Sequence, residues 1–166
     1  MKKLIRPILL GLLAILVVIQ FFRPTKNQAQ DTGPYDISTR YAVPDDVQAI
    51  LKVACNDCHS NHTVYPWYAE IQPVAWWIAD HVEEGKHHLD FSSFTQLPIA
   101  VQNHKFEEVI EVIKENEMPM QAYTLIHRDA ALGDLQKKAL MEWAQQMMDT
   151  LRATYPADSL VMKRRR

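Results

Sequence analysis

The strongest pattern along the chain is an uncharged, mostly apolar run at residues 7–22, with Lys2, Lys3 and Arg6 before it and Arg23 and Lys26 after it. Counting Leu4 and Ile5, it approaches the roughly 20 residues of a short membrane span. No good small-x-small cleavage site follows, so residues 1–27 are expected to form an uncleaved membrane anchor rather than a removed export signal. Three bases at the extreme N-terminus keep that end in the cytoplasm. The rest of the chain is then expected in the periplasm, on the outer side of the inner membrane.

Beyond the run the periodicity becomes helical. Residues 28–42 are polar, carry Gly33 and Pro34 and show no period, which predicts a flexible tether. From Pro44 onward, Val47, Ile50, Leu51 and Ala54 fall at helical spacing, with Asp45 and Asp46 in the first turn where the helix dipole favours acids. In "VAWWIADHVEEG", Val74, Trp77, Ile78, His81 and Val82 make a second stripe, with Gly85 as the expected stop. A third helix is predicted over residues 99–116, with Phe106, Val109, Ile110 and Ile113 on one face, glutamates on the other and Pro119 ending it. A fourth follows Gly133, with the stripe Leu135, Ala139, Leu140, Trp143, Met147 and Leu151. No strand-like alternation of useful length occurs. The prediction is an all-α domain of about four helices over residues 43–153, with a basic tail at 154–166.

Charge changes the picture only when the ends are set aside. Residues 1–30 hold five Lys/Arg and no acid, and "KRRR" at 163–166 holds four more, so nine bases face twenty acids in the part that folds. An acidic body excludes nucleic acid as a partner, since phosphate binding needs a basic face. It suits a protein partner with a basic docking face.

The only two cysteines stand in "CNDCHSNHTVYPWY", at 55 and 58, and His59 follows directly. Cys-x-x-Cys-His is the attachment signature of a c-type haem. Each thiol adds across one vinyl group of the ring, and the next residue brings its imidazole beneath the iron. Zinc would need four ligands with a second short-spaced Cys/His pair. His62, His81, His87 and His88 match no such module. A thioredoxin-like pair would need a βαβ context that is absent, and a plain disulfide leaves His59 without a reason.

Methionine is the sixth ligand that raises the potential of a haem iron. Met141, Met147 and Met148 lie on the fourth helix, where they read as packing residues, and Met162 lies in the tail. Met118 and Met120 sit in the loop "NEMPMQAY", and Met118, directly before Pro119, is the preferred ligand. Met120, His81 and His127 are the other candidates. Among the aromatics, Trp67, Tyr68 and Trp77 are expected to pack around the cofactor, with polar edges toward its propionates. Trp143 is expected to close the pocket against the first helix.

With these residues in place the sequence resembles the bacterial haem-binding domain family related to cytochromes c. The likeness runs from about Val43 to Ala153 and rests on "CNDCHSNHTVYPWYAEIQPVAWWIADHVEEGK", "LDFSSF", "EMPMQAYTLIHRDAALGD" and "LMEWA". It implies a cytochrome c-like fold and one covalent haem c per chain, with iron held by His59 and Met118. The expected activity is electron transfer with redox protein partners. An open iron site would instead imply a peroxidase-like enzyme or a sensor of gas or redox state.

Overall fold

Proline sets where two of the main helices begin. Pro44 and Pro98 occupy the position before the first helical residue, with extended ψ angles of 150° and 146°. Asp45 and Asp46 then place two carboxylates in the first turn, against the positive end of the helix dipole. The structure, a computed structural model, describes residues 2–162. It contains α1 (Lys2–Ile19), α2 (Asp45–Ala54), the single turn α3 (Asn56–His59), α4 (Val74–His88), α5 (Ile99–Lys114), the short α6 (Gln121–Thr124) and α7 (Asp134–Thr154). Short 3-10 turns fill the connections, and the described residues contain no strand, only an isolated bridge between Gln28 and His62. The all-α expectation holds.

The core forms where α5 packs along α7 and α2 lies across α7. Phe106 and Ile113 of α5 meet Leu140, Trp143, Ala144, Met148 and Leu151 of α7, with Val47, Ile50 and Leu51 supplied by α2. Phe106 meets Trp143, Tyr41 and Phe94 edge-on or tilted, at centroid distances of 5.1–5.7 Å. The Trp143 indole N–H donates to the Ala42 carbonyl at 3.0 Å, so its one polar atom is satisfied inside the core. Buried Gln102 accepts from the Tyr41 hydroxyl and donates to Leu97 O.

Several boundaries and faces differ from the sequence expectation. Gly85 does not stop the second predicted helix; α4 runs through it to His88. That helix buries Ala75 and Val82, while Trp76 and Trp77 face outward. The third predicted helix ends at Lys114, ahead of Pro119, and the left-handed φ of 61° at Asn116 turns the chain out. On α7 the stripe is rotated: Leu135 is 84% exposed, and Met148 is buried.

The predicted N-terminal membrane anchor is not supported. No helix among the described residues is long and apolar enough to cross a membrane. α1 has 18 residues, but Lys2, Lys3 and Arg6 occupy its start, which leaves an uncharged helical stretch of only residues 7–19. The large apolar side chains from Ile5 to Val18 are all exposed.

Residues 28–42 are packed rather than free. Ala29 N–H donates to Asn61 O at 2.9 Å, and Ile37 and Tyr41 are buried in the core. At the other end Leu160 is buried with the core residues. The basic residues 163–166 lie outside the described residues.

Candidate functional site

α2 delivers the chain into the cysteines. The Cys55 N–H closes the last turn of α2 on Leu51 O at 2.9 Å. Cys55 then presents its own carbonyl to the N–H groups of Cys58 and His59, at 3.2 and 3.0 Å. That single turn, α3, puts Cys55, Cys58 and His59 on the wall of one cavity of about 680 Å³. Val109, Val112 and Ile113 of α5, Leu51 of α2 and Leu140 of α7 line it from below, and Met118, Pro119 and Met120 line it from the connecting loop. The volume lies within the roughly 300–1,000 Å³ of sites that engulf a small molecule or cofactor.

Helix α4 forms the adjoining wall at very close range. A Cβ on Gly85 would stand 2.8 Å from the Cys58 carbonyl oxygen and 3.0 Å from the Cys58 Cβ. Only glycine lets α4 lie this close to the cysteine turn.

His59 is oriented by a main-chain group. Its Nδ1 lies 2.9 Å from the Leu89 carbonyl, which can only accept, so the ring proton sits on Nδ1. Nε2 is then the free lone pair, the arrangement seen in metal-binding histidines held by an outer partner. Burial, the largest influence, lowers the His59 pKa and favours the neutral, ligating form.

Both cysteines are free thiols. Burial pushes Cys55 up to about 12 and Cys58 up to about 11, reinforced by the neighbouring Cys58 and Asp57 respectively. A reactive redox pair needs the opposite shift. Among the described residues no three His, Cys, Asp or Glu side chains gather to hold a bare ion.

Of the candidates for the sixth ligand, Met118 lines the cavity and is half-buried against the core, and Met120 lines it from the N-cap of α6. His81 also reaches the wall, with Nδ1 bonded to Trp77 O at 2.8 Å and its ring against the Trp77 indole. His127 is occupied elsewhere: it stacks on Tyr123 at 4.3 Å, and its Nε2 meets the Tyr68 hydroxyl at 3.0 Å. The structure does not bring Trp67, Tyr68 or Trp77 to the cavity wall. Trp67 is 76% exposed, Tyr68 spends its hydroxyl on His127, and Trp77 packs over His81. Nor does Trp143 reach the wall; its neighbour on α7, Leu140, does.

Two residues that sequence reasoning passed over brace the site. Tyr123 lines the cavity and donates its hydroxyl to Asp57 Oδ2 at 2.8 Å, while Asp57 Oδ1 takes the Val64 N–H at 2.9 Å. Burial, then the bond to Asp57, raises the Tyr123 pKa, so the phenol remains a donor. The mouth is acidic: Asp57, Glu84, Glu108, Glu111, Glu115 and Glu117 line it, and its one lysine, Lys105, is paired to Glu108 at 2.6 Å.

Neither the curated proteins nor the solved structures contain a match to the chain. A family model does match, that of the haem-binding domain, over residues 14–146, a span that includes the cysteine turn, all of α2 to α6 and most of α7. The chain belongs to the haem-binding domain family, and its cofactor is haem with its iron.

Proposed function

We propose that the protein is a monohaem c-type cytochrome that carries electrons, tethered by α1 to the inner membrane with its haem domain in the periplasm. The observation that carries this reading is the convergence of Cys55, Cys58, His59 and Met118 on one largely apolar cavity of about 680 Å³.

The residues present fit the group. Cys55 and Cys58 would hold the ring through two thioethers, and His59, its Nδ1 fixed by Leu89, would offer Nε2 to the iron. Met118, on the wall of the same cavity, would offer its thioether to the same iron. Haem, when bound, supplies a one-electron Fe(II)/Fe(III) couple, and a methionine ligand sets that couple high. The apolar side chains of α2, α5 and α7 that line the cavity would keep water from the ring. The acidic mouth supplies attraction for a redox partner with a basic face and falls off with salt. The membrane tether rests on the sequence of residues 7–22 and on the exposure of apolar side chains all round α1, a pattern that suits lipid better than water.

The test is a visible spectrum of the full chain, made in a host with haem-attachment machinery and cycled between dithionite and ferricyanide, for wild type and Met118→Ala. Low-spin spectra in both states, reversible cycling and a lowered potential in the variant are expected. A high-spin ferric wild type, unchanged by the substitution, would mean an open iron and would displace the electron carrier with a ligand-binding or peroxidatic role.

A further inference from the structure

The chain leaving α1 does not hang free; it is bonded at once to the haem domain. Gln20 takes the Gln72 N–H on its Oε1 at 2.9 Å and donates to the Gln72 carbonyl at 3.3 Å. The Phe22 carbonyl accepts the Gln72 side-chain amide at 2.7 Å and the Trp76 indole N–H at 2.9 Å. Gln72 is 1% exposed, so its own polar groups are shielded from water within the joint. Arg23 and Lys26 both pair with Glu70. Asn27 donates to Ser60 O at 2.8 Å and to Thr63 Oγ1 at 2.9 Å, which fixes the loop directly after His59.

Around this joint lies an apolar surface that continues from α1. Phe21, Phe22, Ile71 and Trp76 are all exposed, although Trp76 has its indole nitrogen satisfied by the main chain. An amphipathic indole at the end of a helix apolar on every side is the arrangement found where protein meets the headgroup layer. Arg23 and Lys26 follow directly in the chain, two bases sharing the single carboxylate of Glu70, and anionic headgroups attract such a net positive charge.

We propose that α1 and the haem domain form one rigid unit, and that Phe21, Phe22, Ile71 and Trp76 make a lipid-facing surface that seats the domain on the membrane in a fixed orientation. This rests on the membrane-tether reading and goes beyond it. The flexible tether expected at residues 28–42 is not what joins the domain to α1, because residues 20–27 already bind it. The haem mouth therefore keeps one height and one angle above the lipid, and a partner has to approach that mouth rather than wait for the domain to swing.

The test uses the full haem-loaded chain, labelled with 5-fluorotryptophan and mixed with phosphatidylethanolamine/phosphatidylglycerol vesicles, with and without a lipid spin-labelled near the headgroup. Fluorine resonances are assigned by single Trp→Phe changes, with buried Trp143 as the internal control. The expected result is that the chain pellets with vesicles and that spin label erases the Trp76 resonance while sparing Trp143. Gln72→Ala should leave pelleting unchanged and restore the Trp76 signal. Pelleting with an untouched Trp76 signal would overturn the seated orientation alone. A chain that stays in the supernatant, monomeric or paired through α1 with a second copy, would overturn both this proposal and the tether.

Discussion

Gly85 and Cys58 touch so closely that a single added methyl has no room: its carbon would lie 2.8 Å from a backbone oxygen that cannot rotate away. Gly85→Ala gains roughly 1 kcal/mol of helix propensity. It also forces α4 off the cysteine turn, and overpacking of this kind costs about 1–3 kcal/mol. A net loss of stability is expected, together with a smaller fraction of chains carrying haem. Urea unfolding and the ratio of haem to protein absorbance check it; a stabilised, fully loaded variant would show that α4 and α3 are not in fixed contact.

The thiols answer to pH in one direction. Because burial raises both, the folded haem-free chain keeps them protonated at pH 8, where a free cysteine near 8.5 is partly thiolate. Alkylation by iodoacetamide should be slow at pH 8 relative to glutathione and should climb as pH rises toward 11. Unfolding in urea should bring the rate up to that of free thiol. Mass spectrometry of quenched samples reads all three.

Tyr123 braces the cysteine turn through Asp57. Tyr123→Phe removes a donor to a carboxylate, an interaction worth about 1.5–3 kcal/mol. The expected loss is near the lower end, since the site is only half-buried and water can replace the hydroxyl. The same variant frees Asp57 to move and should weaken the hold on the Val64 N–H, which hydrogen exchange of residues 55–64 would detect as faster exchange.

Trp143 is the largest buried side chain, and Trp143→Ala should cost about 3–5 kcal/mol. It does not line the cavity, so chains that still fold should retain the wild-type haem spectrum. Comparing the chemical-denaturation midpoint with the visible spectrum separates the two effects.

These outcomes bear on what the sequence made legible. α2, α5 and α7 were visible because their apolar residues recur at helical spacing and are the ones that pack: Val47, Ile50, Leu51, Phe106, Ile113, Leu140 and Trp143 are all buried. Local spacing and loop position mark Cys55, Cys58, His59 and Met118 in the sequence, and the structure brings all four to one cavity. Gly85 was misread as a stop because a glycine carries the same letter whether it ends a helix or lets another backbone approach. The Leu89 carbonyl and Tyr123 were invisible because their roles come from contacts across 30 and 66 residues, which no local pattern records. Trp67 and Trp77 were assigned to the pocket on aromatic character alone, which does not say which face of an element turns inward.

The measurement closest to the central claim is the mass of the unfolded polypeptide. The full chain, made with haem-attachment machinery, is denatured in acid and organic solvent and weighed beside the Cys55→Ala/Cys58→Ala double variant. The account predicts that the wild type keeps the added mass of one haem after unfolding and that the double variant shows only the bare chain. A wild-type chain that sheds its haem on unfolding would contradict covalent attachment at Cys55 and Cys58 and leave this a domain that holds haem by contacts alone.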